Sequence, residues 1–187
     1  DVHILGAWVH GPGMIHANKE VRTPADMDGL KIRGGSRLVN SLLEKVGASP
    51  VGMPVPAVPE GLSKGVIDGT TIPWEVTAAL KITEIVGIHT ELEANTSIRQ
   101  KMAIDNNSGL EVSSFAGGTQ ADADGPARQL AVDRGNTIVT VGGADLEAWQ
   151  AAAQPIYDEW IGEMKGKGID GQALIDEARS LMEAYEG

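Results

Sequence analysis

The chain has 187 residues, with 26 acidic and 15 basic side chains, a formal charge of −11, 4% aromatic residues and no cysteine. This acidity argues against binding to nucleic acid or to anionic membrane surfaces, since both need clustered Lys and Arg. The lack of cysteine excludes disulfides, thiol catalysis and cysteine-ligated metal sites. At 42% hydrophobic and 22% charged residues, the composition is that of a globular protein with a packed core.

The first half of the chain alternates between strand and helix patterns. Apolar residues from Val2 to Val9 predict a strand, which a glycine- and proline-containing loop at residues 10–13 ends. The further elements expected are a helix start at Thr23, strands at 30–33, 48–51 and 66–72, and helices at 37–46, 60–64 and from Pro73. Their βαβαβα order predicts a parallel sheet flanked by helices, within an α/β ligand-binding lobe at residues 1–96.

The second half, residues 97–187, is predicted to be mainly helical. Residues 98–136 favour helix, and the β-branched run at 137–141 predicts one strand that completes the lobes. A long amphipathic helix begins at Ala144, and we expect Pro155 to kink it because proline removes a backbone donor. A last helix is expected from Gln172 to Tyr185.

The common enzyme signatures are absent from the sequence. The run from Gly11 matches a dinucleotide-binding loop for three positions and then places His16 where the third glycine belongs. There is no phosphate-binding loop and no Gly-x-Ser-x-Gly elbow. The four histidines lack the i, i+4 spacing of a helical zinc pair, so a metal role for His10 and His16 is the minor alternative to ordinary loop histidines. We therefore expect no catalytic residue, no metal and no cofactor.

Arg33 is the most informative side chain in the sequence. It stands at the carboxyl end of a predicted strand, and ligands of open α/β sheets bind outside the carboxyl ends of the strands. Its planar fork matches a carboxylate with two hydrogen bonds, while Gly34 and Gly35 leave room for a ligand near the backbone. The alternative is an ion pair with one of the 26 acidic residues, and position alone leaves the two interpretations even.

Three further residues are candidates for the same site. Arg37 lies in the first turn of a predicted helix, where the helix dipole disfavours a cation, so a bound anion or a nearby acid is expected, the acid being favoured. Trp74 follows the third strand and could wall an apolar part of a ligand, or fill the core beneath its own helix. Glu75 could contact the ligand, or simply favour the helix amino terminus.

Three motifs in the chain stand out: VRTPADMDGLKIR at 21–33, VGASPVGMP at 46–54, and GVIDG at 65–69 followed by PWEV at 73–76. They resemble motifs of the solute-binding proteins of TRAP (tripartite ATP-independent periplasmic) transporters. Residues 134–136 and 149–160 are also similar to the family, so the resemblance covers essentially the whole chain. It implies a periplasmic α/β receptor of the type II binding-protein kind, which closes two lobes on a small organic acid and delivers it to membrane permease subunits.

The resemblance also implies roles for individual residues. The arginine of the Lys-Ile-Arg motif pairs with the ligand carboxylate in the family, and this role carries over onto Arg33. The positions after Asp-Gly line the ligand cleft. The candidate binding set is therefore Arg33, Thr70, Thr71, Ile72, Trp74, Glu75, Arg37, His10 and Gly13.

The chain departs from the family pattern at several positions. Members of the sialic-acid and dicarboxylate types often carry a second arginine in the loop that matches residues 11–13, where this chain has Gly13, and commonly an asparagine at the position of Ile72 and an aromatic residue near Val55. These departures predict a ligand with one carboxylate and an apolar or aromatic body. Members also have a large lobe before residues 2–9 and a further strand and loop that are compressed here into residues 92–97. We therefore expect a partial chain, with one parallel or mixed-sheet lobe, the carboxyl-terminal helices, and the amino-terminal lobe largely absent.

A periplasmic solute receptor with no catalytic group is the favoured function. The alternative is an α/β small-molecule enzyme that uses Glu75 or His10 as a general base. A structural or adaptor module with an exposed helical face is a third interpretation. In each case we expect no nucleic-acid partner and no insertion into a membrane.

Overall fold

The computed structural model describes residues 13–92 and 110–186. Within this part of the chain the strands are β1 Met14–Ala17, β2 Lys31–Arg33, β3 Ser49–Pro50, β4 Gly69–Ile72, β5 Ile88–Leu92 and β6 Thr137–Val141. The helices are α1 Arg37–Lys45, α2 Val58–Ser63, α3 Trp74–Ala79, α4 Leu110–Asp133, α5 Gly143–Gly166 and α6 Gly171–Glu186. Short 3-10 turns lie at Pro24–Met27, Val55–Ala57 and Ile82–Glu84.

The six described strands form one mixed sheet, in the order β3-β2-β4-β1-β5-β6. Strand β2 is parallel to β3 and β4, and β5 is parallel to β6, but β1 lies between β4 and β5 and is antiparallel to both. The prediction of a purely parallel sheet is therefore wrong at β1, a strand that the sequence patterns did not predict. The α/β class with a parallel or mixed sheet and carboxyl-terminal helices is confirmed.

Helices cover both faces of the sheet because neighbouring residues of each strand point to opposite sides. In β1, Ile15 packs in the cluster that α1 and α5 cover, whereas Met14 packs against Trp74 of α3 and Ala127 of α4. The first cluster also contains Ala17, Val21, Met27, Ile32, Leu43, Val139, Val141 and Trp149. Strand β1, in the middle of the sheet, therefore has apolar side chains packed on both of its faces.

Two local features explain the boundaries of α1 and β4. The hydroxyl of Ser36 accepts a hydrogen bond from the backbone N–H of Val39 and caps α1, the helix that the sequence predicts from residue 37. In β4, a Cβ added to Gly69 would lie 2.8 Å from the carbonyl oxygen of His16 on β1. The Asp-Gly motif at residues 68–69 is thus needed for the close approach of β1 and β4.

The carboxyl-terminal half follows the predicted order of elements. Helix α4, strand β6 and helices α5 and α6 lie at the expected positions, and α5 continues through Pro155. Strand β6 pairs with β5, so the two halves of the chain share one sheet. The predicted strand at 2–9, the helical pattern at 98–109 and the compressed segment at 93–97 lie outside the described residues. None of the described helices is both long and apolar enough to cross a bilayer.

Candidate functional site

The candidate site lies at one edge of the sheet, where β2, β4 and β5 have their carboxyl ends. Because β1 runs in the opposite direction, its first residue, Met14, is opposite Ile72, the last residue of β4. Gly13 therefore lies at the same edge, and Arg33 is the last residue of β2. This edge is where α/β sheets bind their ligands.

Arg33 is a nearly buried cation at this edge, with an exposed fraction of 9%. Its Nε donates a hydrogen bond to the carbonyl oxygen of Met53 at 3.3 Å. Among the described residues no carboxylate lies within 4 Å of the guanidinium, and Nη1 and Nη2 have no hydrogen-bond partner there. Burial lowers the pKa of Arg33, because desolvation disfavours the charged form.

Four other described arginines differ from Arg33 in that each is paired with an acidic side chain. Arg22, Arg37, Arg128 and Arg134 each donate to a glutamate. The interpretation in which Arg33 is paired with one of the many acids therefore finds no support in the described part of the chain. Its terminal nitrogens remain as a planar fork with the geometry of a carboxylate receptor.

The backbone around Arg33 is fixed by its neighbours. The hydroxyl of Thr71 donates to the carbonyl oxygen of Arg33 at 3.2 Å. A Cβ added to Gly34 would lie 1.9 Å from Oδ1 of Asn40, so the missing side chain at Gly34 makes room for Asn40 rather than only for a ligand. A Cβ at Gly35 would lie 3.5 Å from Nη1 of Arg33, which is an ordinary contact.

Arg33 begins a row of buried polar side chains that crosses four neighbouring strands. Arg33 is opposite Thr70 on β4, Thr70 is opposite His16 on β1, and His16 is opposite His89 on β5. The exposed fractions of Thr70, His16 and His89 are 0%. Within the described residues Oγ1 of Thr70 has no hydrogen-bond partner.

The two histidines of this row are hydrogen-bonded to each other. Nδ1 of His16 lies 2.8 Å from Nδ1 of His89, and Nε2 of His16 lies 3.0 Å from the carbonyl oxygen of Ile72. Nε2 of His89 lies 2.9 Å from the amide nitrogen of Asn136. Burial, followed by the neighbouring His89, lowers the pKa of His16 to about 3. Burial also lowers the pKa of His89 to about 4, although Glu91 opposes the shift.

The interpretation of His16 as an ordinary loop histidine is wrong, because His16 lies on β1 and is fully buried. The sequence patterns missed this pair, whose members are 73 residues apart. The short run Met14–Ala17 between Gly13 and a polar segment is the signal that could have indicated a buried strand. Among the described residues no group of three or more His, Asp or Glu side chains could hold a metal ion.

Trp74 lies in the interior, with an exposed fraction of 0%. Its ring centroid is 5.0 Å from those of both His16 and His89, and its indole N–H donates to Oε1 of Glu91 at 2.8 Å. Arg128 of α4 binds both oxygens of the same carboxylate, at 2.8 and 3.1 Å. These contacts agree with the alternative in which Trp74 fills the core, and they add a buried Trp74–Glu91–Arg128 cluster that the sequence did not indicate.

The remaining candidates are dispersed around this edge. The backbone N–H of Glu75 donates to Asp124 of α4 at 3.0 Å. Arg37 is exposed and binds both carboxylate oxygens of Glu163 on α5 at 2.8 Å, as the alternative of a nearby acid predicted. This contact raises the pKa of Arg37, since the carboxylate stabilises the cation. His10 lies outside the described residues.

Comparison with known proteins agrees with the fold and the motifs. A marine metagenome TRAP solute-binding protein specific for aromatic acid ligands, from an unidentified microbe, has 36% sequence identity and a TM-score of 0.81, with 95% of this chain and 62% of that chain covered. A TRAP solute-binding protein of Rhodoferax ferrireducens, solved with copurified benzoate, has 36% identity and a TM-score of 0.80, with the same coverage. The curated C4-dicarboxylate-binding periplasmic protein DctP of Rhodobacter capsulatus is 27% identical over 171 residues, covering 83% of this chain and 51% of the relative.

A mixed sheet with helices on both faces and a buried arginine at the carboxyl ends of its strands has the architecture of an α/β binding-protein lobe. The sequence profile of bacterial extracellular solute-binding protein family 7 (DctP) matches residues 1–108. The chain belongs to this family, the solute receptors of TRAP transporters, and the predicted periplasmic localisation is confirmed. Members of the family bind substrates for transport and are not enzymes. The chain spans about half the length of the curated relative DctP and 62% of the two solved chains.

Proposed function

We propose that the protein captures a small organic monocarboxylate with an aromatic or apolar body and delivers it to the membrane permease of a TRAP transporter. The single observation that carries this proposal is the buried guanidinium of Arg33, whose terminal nitrogens lack a partner among the described residues. A carboxylate bound there would receive two charge-assisted hydrogen bonds and would offset the desolvation of the cation.

Several features favour one carboxylate over two. Arg37 is already paired with Glu163, so it is not a second free anion receptor. Gly13 offers no side chain in the loop where the resemblance places a second arginine in dicarboxylate-type members. Ile72, at the end of β4, packs in a core cluster with Ile67 and Ile82 and offers no polar group to a second carboxylate. Solved relatives with 36% identity bind aromatic acids, whereas the curated dicarboxylate receptor is 27% identical.

In this proposal the candidate residues have distinct roles. Arg33 binds the carboxylate, and Thr70, Thr71 and Ile72 line the cleft beside it. Trp74 supports this edge from the interior, since its indole nitrogen is held by Glu91. Glu75 and His10 stay candidates for ligand contact, and no step of bond making is assigned to them.

A thermal-unfolding screen of the full-length gene product against organic acids tests this function. A ligand present at about 100 times its Kd raises the free energy of unfolding by about 2.7 kcal/mol, because it binds only the native state. We expect benzoate and its hydroxylated derivatives to raise Tm more than succinate or malate does. Mass spectrometry of the recovered acid separates the two classes of protein: a receptor returns it unchanged, and an enzyme converts it.

Replacing Thr70 with valine is expected to weaken benzoate binding without destabilising the protein. Its buried hydroxyl has no partner among the described residues, so the isosteric change removes an unsatisfied polar group and leaves the free energy of unfolding unchanged or up to about 1 kcal/mol higher. The loss of the hydrogen bond that the hydroxyl donates to the carboxylate is expected to make the free energy of binding about 0.5–1.5 kcal/mol less favourable. Calorimetric titration and urea unfolding measure the two effects.

Thr90→Val is the matched control for this substitution. Thr90 is also buried, but its hydroxyl donates a hydrogen bond to the carbonyl oxygen of Val21 at 2.8 Å. Thr90 lies on β5, which β4 and β1 separate from β2, the strand of Arg33. This variant is expected to lose about 1 kcal/mol of stability and to bind benzoate normally. An unchanged benzoate affinity in Thr70→Val would show that the Thr70 hydroxyl does not contact the ligand.

A further inference from the structure

The hydrogen-bond chain that joins Asn136, His89, His16 and Ile72 has only one self-consistent direction. A carbonyl oxygen can only accept, so Nε2 of His16, 3.0 Å from the carbonyl of Ile72, carries a hydrogen. A neutral His16 then presents an unprotonated Nδ1. The hydrogen between the two Nδ1 atoms, which are 2.8 Å apart, must therefore belong to His89.

The contacts of Asn136, at the other end of the hydrogen-bond chain, independently place the hydrogen of His89 on Nδ1. The amide nitrogen of Asn136 lies 2.9 Å from the carbonyl oxygen of Thr83 and 3.2 Å from that of Val86, so this atom is the NH2 group. An NH2 group donates and does not accept, so Nε2 of His89, 2.9 Å away, is unprotonated. The two hydrogens of the amide serve three acceptors, so two of these acceptors share one hydrogen. His89 therefore carries its hydrogen on Nδ1, and the two histidines are neutral and of opposite tautomers.

The hydrogen-bond chain ends at the edge of the sheet where Arg33 lies. Ile72 is the last residue of β4 and precedes Pro73, which has no N–H and cannot join the sheet ladder as a donor. The imidazole of His16 thus supplies a side-chain donor to the last carbonyl of β4. Strand β4 pairs with β2, and Thr70 of β4 is opposite Arg33 of β2. The imidazole of His16 therefore holds the end of β4 in position relative to Arg33. This imidazole is itself anchored, through His89, on Asn136, the residue before β6.

We propose that Asn136, His89 and His16 form a neutral positioning relay that holds the end of β4 in place beside Arg33 for ligand binding. This inference rests on the proposed function. The three residues are positioning residues, because they act through the Ile72 carbonyl and not by touching the ligand. An apolar residue at position 16 would fill the space but would leave the Ile72 carbonyl without its donor. Neutrality is required, since a hydrogen on both Nδ1 atoms would break the contact between the rings.

The tautomers can be observed directly in the unaltered protein. The imidazole nitrogens of the ¹⁵N-labelled full-length gene product at pH 7 are expected to show protonated Nε2 and unprotonated Nδ1 for His16, and the reverse for His89. Identical tautomers, or an imidazolium at either residue, would overturn the relay. This measurement needs no variant that could fail to fold.

Two amide substitutions at position 16 then separate positioning from packing. Glutamine can place its NH2 group near the position of Nε2 and keep the donor to Ile72, whereas asparagine can place its oxygen near Nδ1 and keep only the contact with His89. We expect His16→Asn to weaken benzoate binding about fivefold and His16→Gln to change it less than twofold. Equal effects of the two variants on affinity would contradict a positioning role.

Hydrogen exchange keeps this test independent of the proposed function. The backbone amides of Trp74 and Glu75 follow the end of β4, and their exchange is expected to be faster in His16→Asn than in His16→Gln. If the wild-type protein binds none of the acids but shows this difference and the opposite tautomers, the proposed function fails and the relay stands. If benzoate binds but the exchange rates of the two variants are the same, the relay fails and the function stands.

Discussion

Arg33→Met is expected to weaken benzoate binding by about 2–5 kcal/mol, roughly 30-fold to several thousand-fold in Kd, because it removes one partner of a desolvated charge pair. Arg33→Lys keeps the charge but loses the planar fork, and is expected to cost about 1.5 kcal/mol, roughly tenfold. Isothermal titration calorimetry measures both. In the absence of ligand, neither variant should lose much stability, since the described hydrogen bond of the guanidinium is the one to the Met53 carbonyl.

Arg134→Met is the matched control for the charge change. Arg134 is an exposed arginine that pairs with Glu84 at 2.7 Å, and exposed ion pairs contribute little to stability. This variant removes the same charge and is expected to bind benzoate with unchanged affinity. Equal losses of affinity in Arg33→Met and Arg134→Met would mean that net charge, and not the fork at the end of β2, attracts the ligand.

Acid is expected to destabilise the protein below about pH 6.5 through the buried histidine pair. The ordinary pKa of histidine is about 6.5 in the unfolded chain, and burial lowers the pKa of His16 to about 3 and that of His89 to about 4. Between these values the unfolded state binds more protons than the folded state, so stability falls as the pH falls. Two such groups give a slope of up to about 2.7 kcal/mol per pH unit near pH 5.

Other charged groups influence the pKa values of the two histidines or titrate in a different pH range. The elements packed around it carry Glu91 on β5, Glu75 on α3, and Asp124 and Arg128 on α4; of these, Glu91 raises the pKa of His89 and so opposes burial. Hydrogen bonds from the backbone of Thr23 and Arg22 lower the pKa of Asp26, so its stabilisation is lost only as the pH falls below the usual carboxyl range.

Urea unfolding between pH 4.5 and 7.5 measures this dependence. The double variant His16→Gln/His89→Gln is expected to be less stable at pH 7.5 but to have a flatter slope between pH 4.5 and 6.5, because it lacks both titrating groups. Since His3 and His10 are retained in both proteins, the difference in slope isolates the buried pair. An unchanged slope in the double variant would contradict the account of two neutral buried histidines.

The position of Arg33 could be predicted from the sequence because its signals are local. The alternating run from Leu30 to Arg33 and the glycines after it define the end of a strand, and the observed β2 ends at Arg33. The same holds for the start of α1 at residue 37 and for the β-branched strand β6. These features depend on residues that are neighbours in the chain.

The partners of the polar side chains could not be predicted, because they depend on the register of distant strands and helices. His16 and His89 meet only because β1 lies antiparallel between β4 and β5, and Arg37 meets Glu163 across 126 residues. Trp74 follows a strand, as the sequence indicated, but the packing of α4 on α3 encloses it. Periodicity predicts which residues face the core and does not specify which polar groups pair there.

Parallel equilibrium titrations of the full-length gene product with benzoate and with succinate measure whether the site at Arg33 prefers an aromatic monocarboxylate to a dicarboxylate. We expect saturable binding of benzoate at one site, at least about tenfold tighter than that of succinate, because Arg33 is the one described guanidinium at this edge of the sheet without a carboxylate partner. Tight binding of succinate with no measurable binding of benzoate would contradict it.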